Sequence, residues 1–216
     1  MPHVVAVNVA RAQSFNVGGK RFRSAILKAP IEGRTVLRQT GLEGDEQADR
    51  RFHGGPEKAV YLYSSEHYAF WQRALRSAPL PPGTLGENLT IGGFERGLEA
   101  ELHVGDVLRV GDARVQLTTP RQPCWKLETR MGLPGFAKSF LESGRIGMYA
   151  RVVAEGLVGA GDPVDVVERA PGAATIAELI RALYFEDPGA AARVLADESL
   201  DPCTARRVGR AKRPRG

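Results

Sequence analysis

A cysteine does chemistry as its thiolate, the form that attacks electrophiles and ligates soft metals. Cys124 lies in Thr118-Thr119-Pro120-Arg121-Gln122-Pro123-Cys124-Trp125-Lys126, directly after an apolar stretch. Arg121 and Lys126 place two cations within three residues of the thiol, which favours the thiolate, while Pro120 and Pro123 stiffen the loop. Taken alone, a small cysteine after a strand reads as readily as a packing residue. The flanking cations tilt the reading toward function.

Two further segments carry too little apolar material to be core. Glu43-Gly44-Asp45-Glu46-Gln47-Ala48-Asp49-Arg50-Arg51-Phe52-His53-Gly54-Gly55-Pro56 alternates charge around one histidine and a glycine pair that would let backbone approach a ligand closely. It reads as a surface loop, either a site builder or a solvated loop held by its own ion pairs. Its acids do not follow the calcium-loop spacing. Gly86-Glu87-Asn88-Leu89-Thr90 opens a strand with a polar triplet, and Asn88 offers donors and an acceptor suited to an amide-rich ring, or simply to a turn. His67 and His103 read as structural. No clustered Cys and His pattern for zinc, Walker loop, dinucleotide fingerprint or nucleophile elbow occurs.

The elements that must position these residues are mostly short strands. The chain has 216 residues, 43% hydrophobic, with 25 Gly and 14 Pro, a composition for one medium domain rich in turns. Val4–Val9, Thr35–Leu37, Lys58–Tyr63, Asn88–Ile91, Val107–Val110 and Ala113–Thr118 read as strands, with a hairpin at Gly111-Asp112. Ser64 to Ser77 reads as a helix capped by Ser64 or Ser65, with Tyr68, Trp71, Ala74 and Leu75 on one face and a stop at Pro79. Val104-Gly105-Asp106-Val107 is echoed by Ala160-Gly161-Asp162-Pro163-Val164. That echo and the strand spacing fit a closed or nearly closed barrel and argue against a parallel βαβ sheet.

Beyond Ala170-Pro171-Gly172 the pattern turns helical. Thr175 caps a helix to Leu183, Pro188 starts a second and Pro202 a third, basic one to about Arg210. The expected organisation is therefore a β domain over 1–170 and a three-helix segment over 173–212. The segment reads as a packing or dimerisation element in preference to a DNA reader. The net charge of +5 is concentrated at the end, where Arg206, Arg207, Arg210, Lys212, Arg213 and Arg215 stand without an acid, so the body is near neutral. That tail reads as a solvated end, and nucleic acid is not expected as a partner. Only Cys124 and Cys203 are present, no apolar run is long enough to span a bilayer and no leader pattern opens the chain, so a reduced, cytoplasmic protein is expected.

Four motifs in order then resemble one family. Gly44-Asp45-Glu46-Gln47-Ala48-Asp49 through His53-Gly54-Gly55, Gly86-Glu87-Asn88-Leu89, Pro120-Arg121-x-Pro-Cys124-x-Lys126 and Ser143-Gly144-Arg145-x-Gly147-x-Tyr149 are similar to those of MOSC domains, the family of the C-terminal part of molybdenum cofactor sulfurase. The likeness is strongest to the bacterial stand-alone branch that reduces N-hydroxylated purines. The resemblance implies a mainly β fold, a MOSC-type β-barrel followed by three short helices. It also implies a molybdenum cofactor (molybdopterin) whose metal is ligated by Cys124, with no requirement for pyridoxal phosphate. Ser24, Lys28, Arg121 and Lys126 are then expected near the cofactor phosphate, and Asn88 and His53 at the pterin or the metal pocket. The implied activity removes oxygen from N-hydroxylated compounds such as hydroxylaminopurine, with electrons from a separate flavoprotein or iron–sulfur protein. A cofactor or sulfur carrier without turnover needs the same cysteine, and a cysteine hydrolase pairing Cys124 with His53 is a third reading.

Overall fold

The computed structural model describes residues 1–48, 54–169, 171–198, 200 and 202–211. The chain opens with β1 (His3–Val9), β2 (Gln13–Val17), β3 (Lys20–Ser24), β4 (Ala29–Pro30), β5 (Arg34–Arg38) and β6 (Gly41–Leu42). A 3-10 turn at Pro56–Lys58 leads into β7 (Val60–Ser64), α1 (Glu66–Leu75), β8 (Leu89–Gly92) and the single-turn α2 (Leu98–Glu101). Then follow β9 (Val107–Val110), β10 (Ala113–Pro120), α3 (Trp125–Met131), α4 (Phe136–Glu142), β11 (Met148–Ala154), β12 (Gly156–Gly159) and β13 (Val164–Glu168). The last elements are α5 (Ile176–Tyr184), α6 (Pro188–Leu195) and α7 (Pro202–Ala211).

Eight strands form one sheet in the order β13-β9-β10-β11-β7-β8-β1-β4. The expected closed barrel is corrected here, because the ladder runs from β13 to β4 as a line with two ends. The start of β1 meets the turn before β13 in an isolated bridge of His3 with Pro163, through Val4 N to Asp162 O (2.9 Å), Gly161 N to Val4 O (2.8 Å) and Val164 N to Pro2 O (3.1 Å), and not as a ladder. As expected, the sheet is not a parallel βαβ sheet, since its pairs are antiparallel except one. β7 and β8 are parallel neighbours joined through α1, an arrangement an antiparallel hairpin count does not reveal. Helices α2, α3 and α4 were not expected; each is only four to seven residues long and too short for a clear 3.6-residue period.

Alternation in β10 buries Ala113, Val115 and Leu117 and turns Arg114 outward, whereas every residue of β7 is buried. α1 covers that region through Trp71, whose indole N–H donates to the Tyr63 hydroxyl at 2.8 Å and whose ring stacks on Phe140 at 5.5 Å. Ser65 stands at the α1 cap position but its hydroxyl makes no cap bond, and the helix ends on a left-handed Arg76, ahead of Pro79. The Gly111-Asp112 hairpin forms as expected, with Val110 facing Ala113. At Gly111 the backbone has φ of +57°, and an added Cβ would meet Leu157 O at 2.8 Å. Both Gly-Asp echoes lead into strands, and those strands, β9 and β13, pair with each other.

Helices α5 and α6 start where their caps place them, and α7 begins at Pro202. Thr175 and Glu178 complete a reciprocal capping box, and the Asp187 side chain accepts from Ala190 N at 2.9 Å. They join the body through Val104 N to Ala174 O and Ile176 N to Leu102 O, and Ile176, Leu179 and Ile180 belong to the same buried cluster as Leu98 and Leu102. No described helix is long and apolar enough to cross a membrane.

Candidate functional site

The end of β10 delivers Arg121 and Cys124 to the same place as the segments leading into β4, β7 and β8. Ser24, Lys28, Asp45, Gln47, Lys58, Tyr61, Gly86, Asn88, Arg121, Cys124, Lys126 and Tyr149 line one cavity of about 630 Å³, including the space at its mouth. Cys124 is half-buried, and it is the N-cap residue of α3, with extended backbone, its carbonyl accepting from Leu127 N at 2.9 Å. Its side chain makes no cap hydrogen bond to the helix, and it lines the cavity.

Arg121 is 6% exposed. Its guanidinium lies over the Tyr61 ring, 4.7 Å from the centroid, and one terminal nitrogen donates to Leu85 O. Its Nε has no partner although it is buried. Such a group costs free energy unless an acceptor reaches it, and a buried, unsatisfied arginine N–H beside a cavity is a place for an anionic oxygen. Burial pushes the hydroxyls of Tyr61 and Tyr149 above the ordinary tyrosine range, so both remain neutral. These two rings face each other across neighbouring strands, 5.3 Å apart.

Lys28 and Asp45 form an ion pair with side chains only 9% and 7% exposed. Asp45 Oδ1 also accepts from Ala10 N at 2.8 Å, and Oδ2 accepts from Asn88 Nδ2 at 2.9 Å. Asn88 Oδ1 in turn accepts from Tyr61 N at 3.2 Å, and its amide also donates to Asn8 O at 3.3 Å. Behind them Glu87, fully buried, uses Oε1 to accept from Gly83 N and Thr90 Oγ1 at 2.8 Å and from the Tyr68 hydroxyl. The polar triplet expected at Gly86–Asn88 therefore ties β1, β7 and β8 together behind the cavity.

Of the residues singled out from sequence, Ser24, Lys28, Asn88, Arg121, Cys124 and Lys126 all line this cavity. His53 lies outside the described residues, as do Asp49 to Phe52 and the tail cations Lys212, Arg213 and Arg215. The amide of Asn88 is engaged with protein groups and the charge of Lys28 is met by Asp45, whereas Arg121, in the same wall, has a buried Nε without an acceptor. Sequence reasoning missed Tyr61 and Lys58, and did not give Tyr149 a place in the wall. The signal for the tyrosines was there, since Tyr61 and Tyr149 occupy strands whose inward positions could have been read in register. Trp125 is 49% exposed, does not line the cavity, and packs edge-on against Phe22 of the β2–β3 ribbon at 4.3 Å. His67 is structural, its Nε2 bonded at 2.7 Å to Glu99, whose other oxygen accepts from Gly147 N. Among the described residues no three His, Cys, Asp or Glu side chains converge on a metal position.

Residues 49–165 match the MOSC domain family. The chain is 35% identical over 199 residues to the uncharacterized protein YflK of Bacillus subtilis, covering 91% of this chain and 88% of that one. It is 32% identical over 171 residues to a protein of Gibberella moniliformis named "Reductase", covering 77% of this chain and 29% of the fungal protein. Among solved structures, YiiM from Geobacillus stearothermophilus superposes with a TM-score of 0.77 at 27% identity, over 99% of this chain and all of that one.

Proposed function

From its membership of the MOSC domain family, we propose that this chain is a molybdenum-cofactor-dependent reductase that removes oxygen from N-hydroxylated compounds such as hydroxylaminopurine. The observation that carries the reading is the pairing, in one cavity, of the half-buried Cys124 at a helix start with the orphaned Nε of Arg121. The residues present fit a pterin-bound metal. A thiolate is the soft donor such a metal takes, and the buried arginine N–H answers a phosphate oxygen. Gly86 adds a cradle: with φ of +84°, an added Cβ there would stand 3.2 Å from Ile26 Cγ1 and 3.5 Å from the Arg121 guanidinium.

In this reading Cys124 ligates the metal, while Arg121, Ser24 and Lys126 hold the anionic end of the cofactor. The bound group would supply the two electrons of the reaction R–NHOH + 2e⁻ + 2H⁺ → R–NH₂ + H₂O. The protein orients the substrate against it, between walls that include the neutral Tyr61 and Tyr149. Asn88 acts through Asp45 and the backbone of β7, as a positioning residue. Electrons enter from a separate flavoprotein or iron–sulfur protein, since the sequence carries no nicotinamide or flavin motif. The fungal relative named "Reductase" supports the class of reaction.

Cys124→Ser tests this. Its hydroxyl is a harder and far less acidic ligand, so turnover of a hydroxylaminopurine with a chemical reductant should fall by at least about 10³-fold while the thermal midpoint stays unchanged. Full activity with normal molybdenum content would remove the ligand role. Wild-type protein that carries the cofactor and passes it to an apo-enzyme, yet yields no amine, would show a carrier instead.

A further inference from the structure

Cleaving an N–O bond by reduction consumes two protons, and one of them must reach the oxygen as it departs, because hydroxide is a poor leaving group beside water. The tyrosine walls do not suit that task. The Tyr61 hydroxyl already donates to Ile146 O at 2.9 Å, and burial holds both phenols above their ordinary range. Arginine does not release its proton in proteins. Lys28 differs from all of these. It lines the cavity with Cys124, it is 8% exposed, and its ammonium has three donor hydrogens, of which the bond to Asp45 takes one.

Resting on the reductase reading above, we propose that Lys28 is the general acid of the reaction. Its Nζ–H bond breaks as a proton passes to the substrate hydroxyl, the N–O bond cleaves with the two electrons supplied at the cofactor, and the oxygen leaves as water. Lys28 is left as a neutral amine hydrogen-bonded to Asp45, and solvent entering the mouth restores its proton. The second proton goes to the substrate nitrogen from water.

The surroundings of Lys28 are arranged for such a role more than for binding an anion. Asp45 meets its charge, so the pair adds little net positive potential to the cavity, whereas Arg121 retains an unanswered N–H. Asp45 is itself fixed by Ala10 N and Asn88 Nδ2, which sets the position of the ammonium. The Lys28 backbone is held as well: Gly83 packs so closely that an added Cβ would lie 2.8 Å from Lys28 O. The charged groups acting on Lys28 are Asp45, Glu87 and Arg121. Burial lowers the affinity of Lys28 for its proton below that of an ordinary lysine, with Arg121 acting in the same direction and Asp45 and Glu87 opposing. A buried lysine readied in this way gives up its proton more easily than one in water.

The test has two arms. In metal-free protein, the pH dependence of acetic anhydride labelling of Lys28 is compared by mass spectrometry with that of the exposed Lys20. Lys28 should titrate at lower pH; titration together with Lys20 or above it overturns the proposal. In cofactor-loaded protein driven by a chemical reductant, wild-type kcat/KM should fall with rising pH, because the acid form is the active one, and its midpoint should coincide with the pKa of Lys28 labelled in the same loaded protein. Lys28→Arg should retain cofactor, read as released pterin fluorescence, lose about 10²-fold or more in kcat and lose the alkaline limb. An arginine variant with the wild-type rate and limb overturns the proposal, as does one whose activity falls only in step with cofactor content, since that marks an anion-holding role. If the variant does not fold, a wild-type limb displaced from the labelled pKa overturns it equally. Loaded wild-type protein without any turnover would refute the reductase reading itself, an outcome separate from each of these.

Discussion

The side chains that line the cavity come from positions as far apart as Ser24 and Tyr149, while helices α5 to α7 occupy one continuous stretch from Ile176 to Ala211. Each of the first two helices carries its own start signal, a Thr175–Glu178 capping box and an Asp187 cap with Pro188 behind it. The cavity has no such local code. Its wall depends on chains of polar groups, Lys28 to Asp45 to Asn88 to the Tyr61 backbone, in which each member has a partner distant in sequence. Local signals therefore tolerate the loss of one group, and long-range polar chains do not.

The largest expected effect comes from removing the helices altogether. A chain ending at residue 170 should keep the sheet, as judged by far-UV circular dichroism, but with α2 no longer packed on α5 it uncovers Leu98 and Leu102. At about 2 kcal/mol for each leucine, the loss is about 4 kcal/mol, read from urea denaturation. A truncated chain that only precipitates would show that the helices complete the core, and the division of the molecule at 170 would have to be given up. Next comes Asp45→Ala. It leaves Lys28 buried without its counter-charge and frees the Asn88 amide, so about 3 kcal/mol should be lost together with cofactor binding. Thr175→Ala should cost about 1 kcal/mol, with faster hydrogen exchange at Glu178 and no change in cofactor content. If Asp45→Ala proved as mild as Thr175→Ala, the contrast between the two regions would be lost.

The same contrast explains what could be read from the sequence. The start of α5, the hairpin at Gly111-Asp112 and the strand at Val4–Val9 follow from residues within a few positions of one another. The helix α3 directly behind Cys124 did not, because seven residues beginning Trp-Lys-Leu give too short a period to stand out. The parallel pairing of β7 with β8 was invisible for a different reason: strand direction within a sheet is fixed by the path of the connection, which passes here through α1 and a Pro-rich turn. Lys28 was read as a cation for the cofactor, and only its approach to Asp45, 17 positions away, shows that its charge is already answered.

By itself, the amino-acid sequence determined that strands and tight turns build the body, that capped helices follow it, and that Cys124 stands among cations within the MOSC motifs. These follow from propensity, capping and charge, which act over a few residues. Only the tertiary structure decided that the sheet stays open, that Trp125 turns away from the cavity toward Phe22, and that Lys28 meets the charge of Asp45 while the buried Nε of Arg121 has no acceptor. Each of those outcomes depends on which distant groups share a buried, weakly polarisable space, where one partner gained or lost changes the chemistry of a charge.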